Sequence, residues 1–324
     1  MTAEFEKRLN GVENIADYQY LALLQDILDN GVPSSDRTGT GTIKVFERQL
    51  RFDLSGGLYP LLTTKKVWFP GVAKELLWFI SGSRNIAPLV QQGVHIWDEW
   101  PYQKYLQENG LEGEFPKYTD RWREKMTEFA TQVADKSEFA ERWGDLGPVY
   151  GFLWRRWPAP GGGEVDQLKV LIEGLINNPF SRRHLVTAWN PSLLENVALP
   201  SCHHGFQCNV REQNGQRFLD LGWRQRSVDT FLGLPFNIAS YGLFLLMLGQ
   251  VTNYQPGELV ASLGDTHLYL NHTDQVKTQL SRVPFPSPKV ELNHSVSDID
   301  DFKFEDIKLI GYQSHSPIKA PISV

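Results

Sequence analysis

The sequence predicts an α+β fold, and three observations carry that reading. Helical and strand-like periodicities mix along the 324 residues without the regular βαβ rhythm of a parallel sheet. No glycine-rich dinucleotide fingerprint opens a helix after a strand. The run from Asn237 to Leu248 is apolar on nearly every face, which calls for one fully buried helix.

The elements follow in chain order. Tyr20, Leu21, Leu24, Ile27 and Leu28 have helical spacing between Asp17 and Asn30, and Gly31 stands at a favoured terminating position. Asp36 to Thr42 is a glycine-rich loop that leads into alternating, strand-like segments through Phe52. Glu75 to Ile80 reads as a short buried helix bearing a carboxylate. From Pro101 to Trp143 charges are dense and the apolar pattern thin, which predicts a partly helical surface insertion. Val165, Leu168, Leu171, Ile172, Leu175 and Ile176 predict an amphipathic helix stopped at Asn177-Asn178-Pro179. Strands are expected over His184 to Trp189, Phe206 to Arg211 and Phe218 to Trp223.

Composition narrows the class of protein. The chain is 41% apolar and 22% charged, as globular domains are, and no apolar run reaches transmembrane length. Its first residues lack a basic stretch followed by an apolar core, so no secretory signal is expected. Two cysteines in 324 residues do not make a disulfide framework, which points to a reducing cytoplasm. A net charge of −6 argues against a surface devoted to nucleic acid, but a local arginine cluster can still hold a small anion. Ten tryptophans suggest aromatic walls around something flat.

Several constellations could carry chemistry. Cys202 follows a proline-serine pair, adjoins His203 and His204, and lies between arginine-bearing segments whose charge would stabilise a thiolate. Free cysteine is also commonly a small buried hydrophobe, and the local sequence leaves both readings open. Adjacent residues of an extended segment point to opposite faces, so His203 is poorly placed to deprotonate its neighbour. Arg37, Arg182, Arg183 and Arg226 offer planar forks suited to a phosphate dianion, or are solvated surface charges. Asn237 has an amide that could pair with a uracil-like edge, or it caps a helix. His267 and Tyr269 alternate onto one face, either for a sugar hydroxyl or as a structural polar pair. No His/Cys spacing resembles a zinc site, so no metal is expected.

Taken together, the segments closely resemble the thymidylate synthase family. The matching stretches are DRTGTGT (Asp36 to Thr42), TTKK (Thr63 to Lys66), ELLWF (Glu75 to Phe79), IWDEW (Ile96 to Trp100) and GDLGPVYG (Gly144 to Gly151). Further on come SRR (Ser181 to Arg183), Cys202-His203 with Gln207, QRSVDTFLGLPFNIASY (Gln225 to Tyr241), GDTHLYLNH (Gly264 to His272) and IKAP (Ile318 to Pro321). The resemblance implies one catalytic domain over residues 1–324, with the charged insertion at about 101–143. It also implies a mixed, mainly antiparallel sheet packed by helices, and a sheet-to-sheet homodimer.

The roles the resemblance implies fall on particular positions. Cys202 would attack C6 of dUMP, with Arg37, Arg182, Arg183, Arg226 and Ser227 holding the phosphate. Arg182 and Arg183 would reach the site from the partner subunit. Asn237, with Gln225 and Asp229 nearby, would read the uracil, and His267 and Tyr269 the 3′-hydroxyl. Glu75, Tyr150 and His203 would order the waters that relay protons. Lys65, Ile96, Trp97, Trp100, Asp229, Leu232, Gly233, Phe236 and Val324 would shape the site for 5,10-methylenetetrahydrofolate, the one-carbon and hydride donor. Nucleic acid and membrane are not expected partners, and the cytoplasm (a host's, if the chain is phage-encoded) is the expected compartment.

The chain departs from the family pattern in places. Ser201 stands where a second proline is usual before the cysteine, Arg224 where a tyrosine is typical, and Gly205 and Cys208 replace larger residues. Trp223, Ser227-Val228-Asp229 and Ser314-His315 look similar to phage versions. Phages also carry relatives that quench the same covalent intermediate with water, giving 5-hydroxymethyl nucleotides. That makes a dUMP hydroxymethylase the alternative, whereas Asn237 disfavours dCMP, whose base presents the opposite donor pattern. A non-catalytic nucleotide-binding relative would need to lose the thiol or the folate wall.

Overall fold

The computed structural model describes residues 14–36 and 39–322. Helix α1 (Ile15–Asn30) is followed by strands β1 (Val32–Ser34) and β2 (Thr42–Asp53), then helices α2 (Phe69–Ile80), α3 (Ala87–Val90), α4 (Glu99–Glu108), α5 (Asp120–Asp135), α6 (Ser137–Trp143) and α7 (Tyr150–Arg155). Next come β3 (Trp157–Pro158), β4 (Glu164–Val165), α8 (Gln167–Asn177), β5 (Leu185–Thr187), β6 (His203–Gln213), β7 (Gln216–Asp229) and α9 (Gly233–Thr252). The chain ends with β8 (Gln255–Tyr269), α10 (Thr273–Leu280), β9 (Lys289–Leu292) and β10 (Ile307–Ile310). Contacts divide it into two compact units. The first holds the described residues up to Ala73, Leu171–Leu185 and everything from Cys202 onward; the second holds Lys74–Val170 and Val186–Ser201.

A six-stranded sheet in the order β1-β2-β8-β7-β6-β5 organises the first unit. The β1–β2, β2–β8 and β6–β7 pairs are antiparallel and β7–β8 is parallel, so the fold is mixed α+β with a mainly antiparallel sheet. The parallel pair requires a crossover, and α9 supplies it. That helix is apolar all round because almost every face is covered: Leu243, Phe244, Leu245, Met247 and Leu248 are fully buried. It is also long and apolar enough to cross a membrane, but 72% of that stretch is packed inside the protein as its core helix.

The sheet has two unlike faces. Val45, Leu50, Phe52, Leu259, Ala261, Leu263, Leu219, Leu221 and Trp223 point into the core, where α1 packs on β2 and β8 while α9 packs on β7 and β8. The alternate residues, among them Phe46, Gln49, Arg51, Arg224 and Asn209, are exposed on the opposite face. β2 kinks where Glu47 takes a left-handed φ of 53° and the Glu47–Gly264 position drops out of the ladder. At Gly264 a Cβ would lie 3.1 Å from the Arg226 carbonyl, so glycine is what lets β7 come close.

Gly31 ends α1 as expected, in extended conformation (φ −70°, ψ 144°), and a Cβ there would sit 2.3 Å from the Ile27 carbonyl. Two local expectations are corrected. Val165 belongs to β4 and not to the amphipathic helix, whose buried face is Leu168, Leu171 and Leu175. Asn237 does not head its helix: α9 starts at Gly233, one turn earlier. The segment 101–143 carries α5 and α6 and most of α4, and it has an aromatic core of its own. There Tyr102 packs on Trp122 and Phe129, and Tyr105 on Trp143.

Candidate active site

In the first unit, β6, β7 and the start of α9 bring together a thiol, arginines and an amide. Cys202 lies just before β6, half-buried and not in a disulfide, and its carbonyl accepts the Arg226 N–H at 2.9 Å. The guanidinium of Arg226 is on an exposed position, and His204 feels both it and Arg224. Burial, then these two positive charges, hold the His204 imidazole below its ordinary value. Cys208, by contrast, is fully enclosed, and burial and then Asp220 push its thiol up to about 12. Of the two cysteines, Cys208 is the inert core residue.

The His203 imidazole pairs with Tyr241. Its Nδ1 is 2.9 Å from the Tyr241 hydroxyl, and Tyr241 lies flat on Trp223 at 5.0 Å. Burial first, then His204, drive the His203 imidazole down to about 3, so it is neutral at physiological pH.

Polarity is relayed from Trp223 to Asn237. The buried Trp223 indole donates to Gln225 Oε1 at 3.2 Å, and Gln225 Nε2 then donates to Asn237 Oδ1 and to the Ser227 carbonyl, each at 3.1 Å. Leu232, Gly233, Phe236 and Asn237 form the half-buried face at the start of α9. Below it, Asp229 Oδ1 accepts the Phe231 and Leu232 N–H groups at 3.1 and 3.0 Å. Lys65 donates to the Phe231 carbonyl and sits 3.6 Å from the Phe231 ring centroid; burial lowers its amine to about 7, opposed by the Asp229 carboxylate.

His267 and Tyr269 do meet, edge to face at 5.3 Å. Behind them His267 Nδ1 lies 3.0 Å from Asp265 Oδ1, and Lys44 Nζ 2.7 Å from Asp265 Oδ2. Partial burial opposes ionisation of Asp265, but the hydrogen bonds from Lys44 and His267 outweigh it and hold the carboxyl low. Sequence reasoning missed this Lys44–Asp265–His267 line, although Asp265 and His267 share a strand face at a spacing of two. Arg182 and Arg183 are exposed just before β5 and pair with no carboxylate among the described residues. Arg37 and Val324 lie outside the described residues.

The second unit holds its own buried acid. Glu75 on α2 is 8% exposed and accepts the Trp97 indole N–H at 2.7 Å. Burial raises its carboxyl to about 7 against the pull of that hydrogen bond, so it titrates near neutrality. Trp97 packs against Trp100 at 5.2 Å and Tyr150 at 5.7 Å, with Phe79 beneath. Tyr150 takes a left-handed φ of 31°, a strained conformation for an aromatic residue, at the start of α7. Ile96 beside Trp97 is exposed. The Glu75–Trp97 bond was not legible in the sequence, since 22 residues separate the partners.

A family model for thymidylate synthase matches residues 18–324. A curated relative, the thymidylate synthase of Mycoplasma mobile, is 47% identical over 306 residues, covering 94% of this chain and 99% of the relative. By both measures the chain belongs to the thymidylate synthase family.

Proposed function

We propose that the chain converts dUMP to dTMP, with 5,10-methylenetetrahydrofolate supplying the methylene carbon and a hydride. Beyond the family membership, the observation that carries this reading is the polarity of Asn237. With Gln225 Nε2 on its Oδ1, the amide is held carbonyl-side known, so one lone pair can accept uracil N3–H while Nδ2 donates to O4.

Cys202 thiolate adds to C6, and the electron pair moves onto C5 and O4 as an enolate. The chain's donors stabilise that charge, with Asn237 at O4 and water ordered by neutral His203 and by Glu75. C5 then bonds to the folate methylene. Loss of the C5 proton, which Glu75 and Tyr150 relay through water, releases tetrahydrofolate and leaves an exocyclic methylene. Hydride transfer to that methylene expels the Cys202 thiolate and yields dTMP and dihydrofolate. Trp97, Trp100, Leu232, Phe236 and Ile96 would supply apolar walls for the folate ring, with Lys65 fixing the Phe231 carbonyl next to Leu232. Arg226, Ser227 and Arg37 would hold the phosphate, and His267 with Tyr269 the 3′-hydroxyl.

A homodimer fits this reading. The helix-free face of the sheet is the surface a second copy would cover, and Arg182 and Arg183, unpaired by any described carboxylate, would then serve the partner's phosphate site. We also read residues 1–324 as one catalytic domain acting in the cytoplasm. The test is product analysis from dUMP and labelled methylenetetrahydrofolate. Equimolar dTMP and dihydrofolate are expected; 5-hydroxymethyl-dUMP with tetrahydrofolate would overturn the reading.

A further inference from the structure

Asp17 is fully buried in the first turn of α1, and five donors meet its carboxylate. Oδ2 accepts Asn14 Nδ2 at 2.8 Å, the Thr63 N–H at 2.7 Å and the Thr63 hydroxyl at 2.8 Å. Oδ1 accepts the Thr64 N–H at 3.1 Å and the Thr64 hydroxyl at 2.6 Å. A buried carboxylate so fully paired fixes whatever donates to it. Here that is the backbone of two consecutive residues, 46 and 47 positions away.

The carbonyls of the same short stretch hold the C-terminal segment. The Leu62 carbonyl accepts the Tyr312 hydroxyl, and the Thr63 carbonyl the His315 N–H, each at 2.8 Å. Arg282 Nη1 bridges the Thr64 and Ser316 carbonyls, again at 2.8 Å to each. Lys65, the next residue, is buried and donates to the Phe231 carbonyl beside Leu232. This stretch therefore turns its N–H groups to Asp17 and its carbonyls to the C-terminal segment, and it sends Lys65 to the approach of α9.

We propose that Asp17 is a positioning residue for the folate side of the site, acting through Thr63, Thr64 and Lys65 on both the Leu232 wall and the C-terminal segment. It touches neither substrate. Its kinetic consequence rests on the proposed dUMP and folate chemistry, whereas its hold on the C-terminal segment does not. Asp17→Asn would break the arrangement. An amide keeps one acceptor oxygen, and its NH₂ group must then face either the Thr63 or the Thr64 N–H. A threonine hydroxyl can turn to accept from that group, but a backbone N–H cannot. The stretch has to shift, and Lys65 and the C-terminal ties shift with it.

Kinetics and limited proteolysis of full-length Asp17→Asn test this. KM for methylenetetrahydrofolate should rise roughly tenfold, as loss of a hydrogen bond to a charged group does, with a smaller change in kcat. Calorimetric dUMP affinity should stay within about twofold, because Asn237 is oriented separately by Gln225. Brief trypsin treatment should release residues 320–324 several-fold faster than from wild type, since Lys319 is exposed and cleavage follows local opening. Thr64→Val removes one donor and should move both readouts about threefold, and Thr64→Ser, which restores the hydroxyl, should restore both. That pair carries the test if circular dichroism shows Asp17→Asn unfolded. Unchanged folate KM, unchanged cleavage, or an equal loss of dUMP affinity in the folded variants would overturn the proposal. A wild-type chain that does not turn dUMP over would instead sink the reaction, and the cleavage rates would still decide whether Asp17 holds the C-terminal segment.

Discussion

Gln225 Nε2 donates to Asn237 Oδ1 across 3.1 Å, and its orientation is dictated from behind by Trp223, whose indole can only donate. Three side chains thus share one polarity, and reversing it would place donor against donor. Trp223→Phe removes the anchor and leaves Gln225 free to turn. The kcat/KM ratio of dUMP over dCMP should then fall by roughly tenfold, the worth of one well-made hydrogen bond at the upper end. Asn237→Asp should move preference toward dCMP directly. A ratio untouched by Trp223→Phe would mean that Asn237 is oriented by something else.

Glu75 and His203 should give stability opposing slopes with pH. Burial raises Glu75 from 4.5 to about 7, so the folded state binds more protons than the unfolded one in that window. Stability contributed by the neutral acid is complete below about pH 4.5 and is lost as pH rises toward 7, by an amount of order 3 kcal/mol. Glu75→Gln should remove this fall and gain stability at pH 8, while slowing turnover severely. Chemical denaturation between pH 4.5 and 8 measures both effects; parallel curves for variant and wild type would refute the assignment.

The same treatment of His203 runs the other way. Its imidazole falls from 6.5 to about 3, so stability is complete above pH 6.5 and declines as pH drops toward 3. Histidine-labelled NMR should show one imidazole still neutral at pH 5. Observation of a protonated His203 there would contradict its burial against Tyr241.

Asp265→Asn should loosen His267, because the carboxylate that fixes its Nδ1 becomes an amide no longer held by Lys44 as an ion pair. The expected result is a several-fold higher KM for dUMP with a smaller change in kcat. Preference for dUMP over its 3′-deoxy analogue should shrink as well. If that preference survives, His267 does not read the hydroxyl.

Gly151→Ala should be severely destabilising, since the new Cβ would fall 1.9 Å from the Phe79 carbonyl oxygen. Backbone must move, and the strained Tyr150 next to it moves too. A cost of order 2–3 kcal/mol would lower Tm by about 5 °C or more, readable by calorimetry. An unchanged melt would mean that the α2–α7 contact yields easily.

The helices α1, α8 and α9 were legible because each declares itself in a local apolar spacing. The β7–β8 pairing was not, since parallel neighbours are joined only through a 20-residue helix and leave no short-range signature. Cys202, Asn237, His267 and Arg226 stood out as reactive or polar residues in ordered segments. Their supports did not: Trp223 behind Gln225, Tyr241 against His203 and Lys44 on Asp265 are contacts that only tertiary packing makes. Nor did the charge density of 101–143 betray the aromatic core formed by Tyr102, Trp122 and Phe129.

The central place of β8 carries a consequence for biosynthesis. Lys44 and Asp265 are 221 positions apart, and β2 gains its β8 partner only when the far strand has been made. At roughly 5–20 residues per second, ribosomes leave that interval at about 10–40 s. Throughout it, Val45, Leu50 and Phe52 belong to a strand with an open edge in a nascent chain, the circumstance in which chaperones intercept a polypeptide. Translation speed between these codons, more than any single contact, should therefore govern how much of the enzyme reaches its native form.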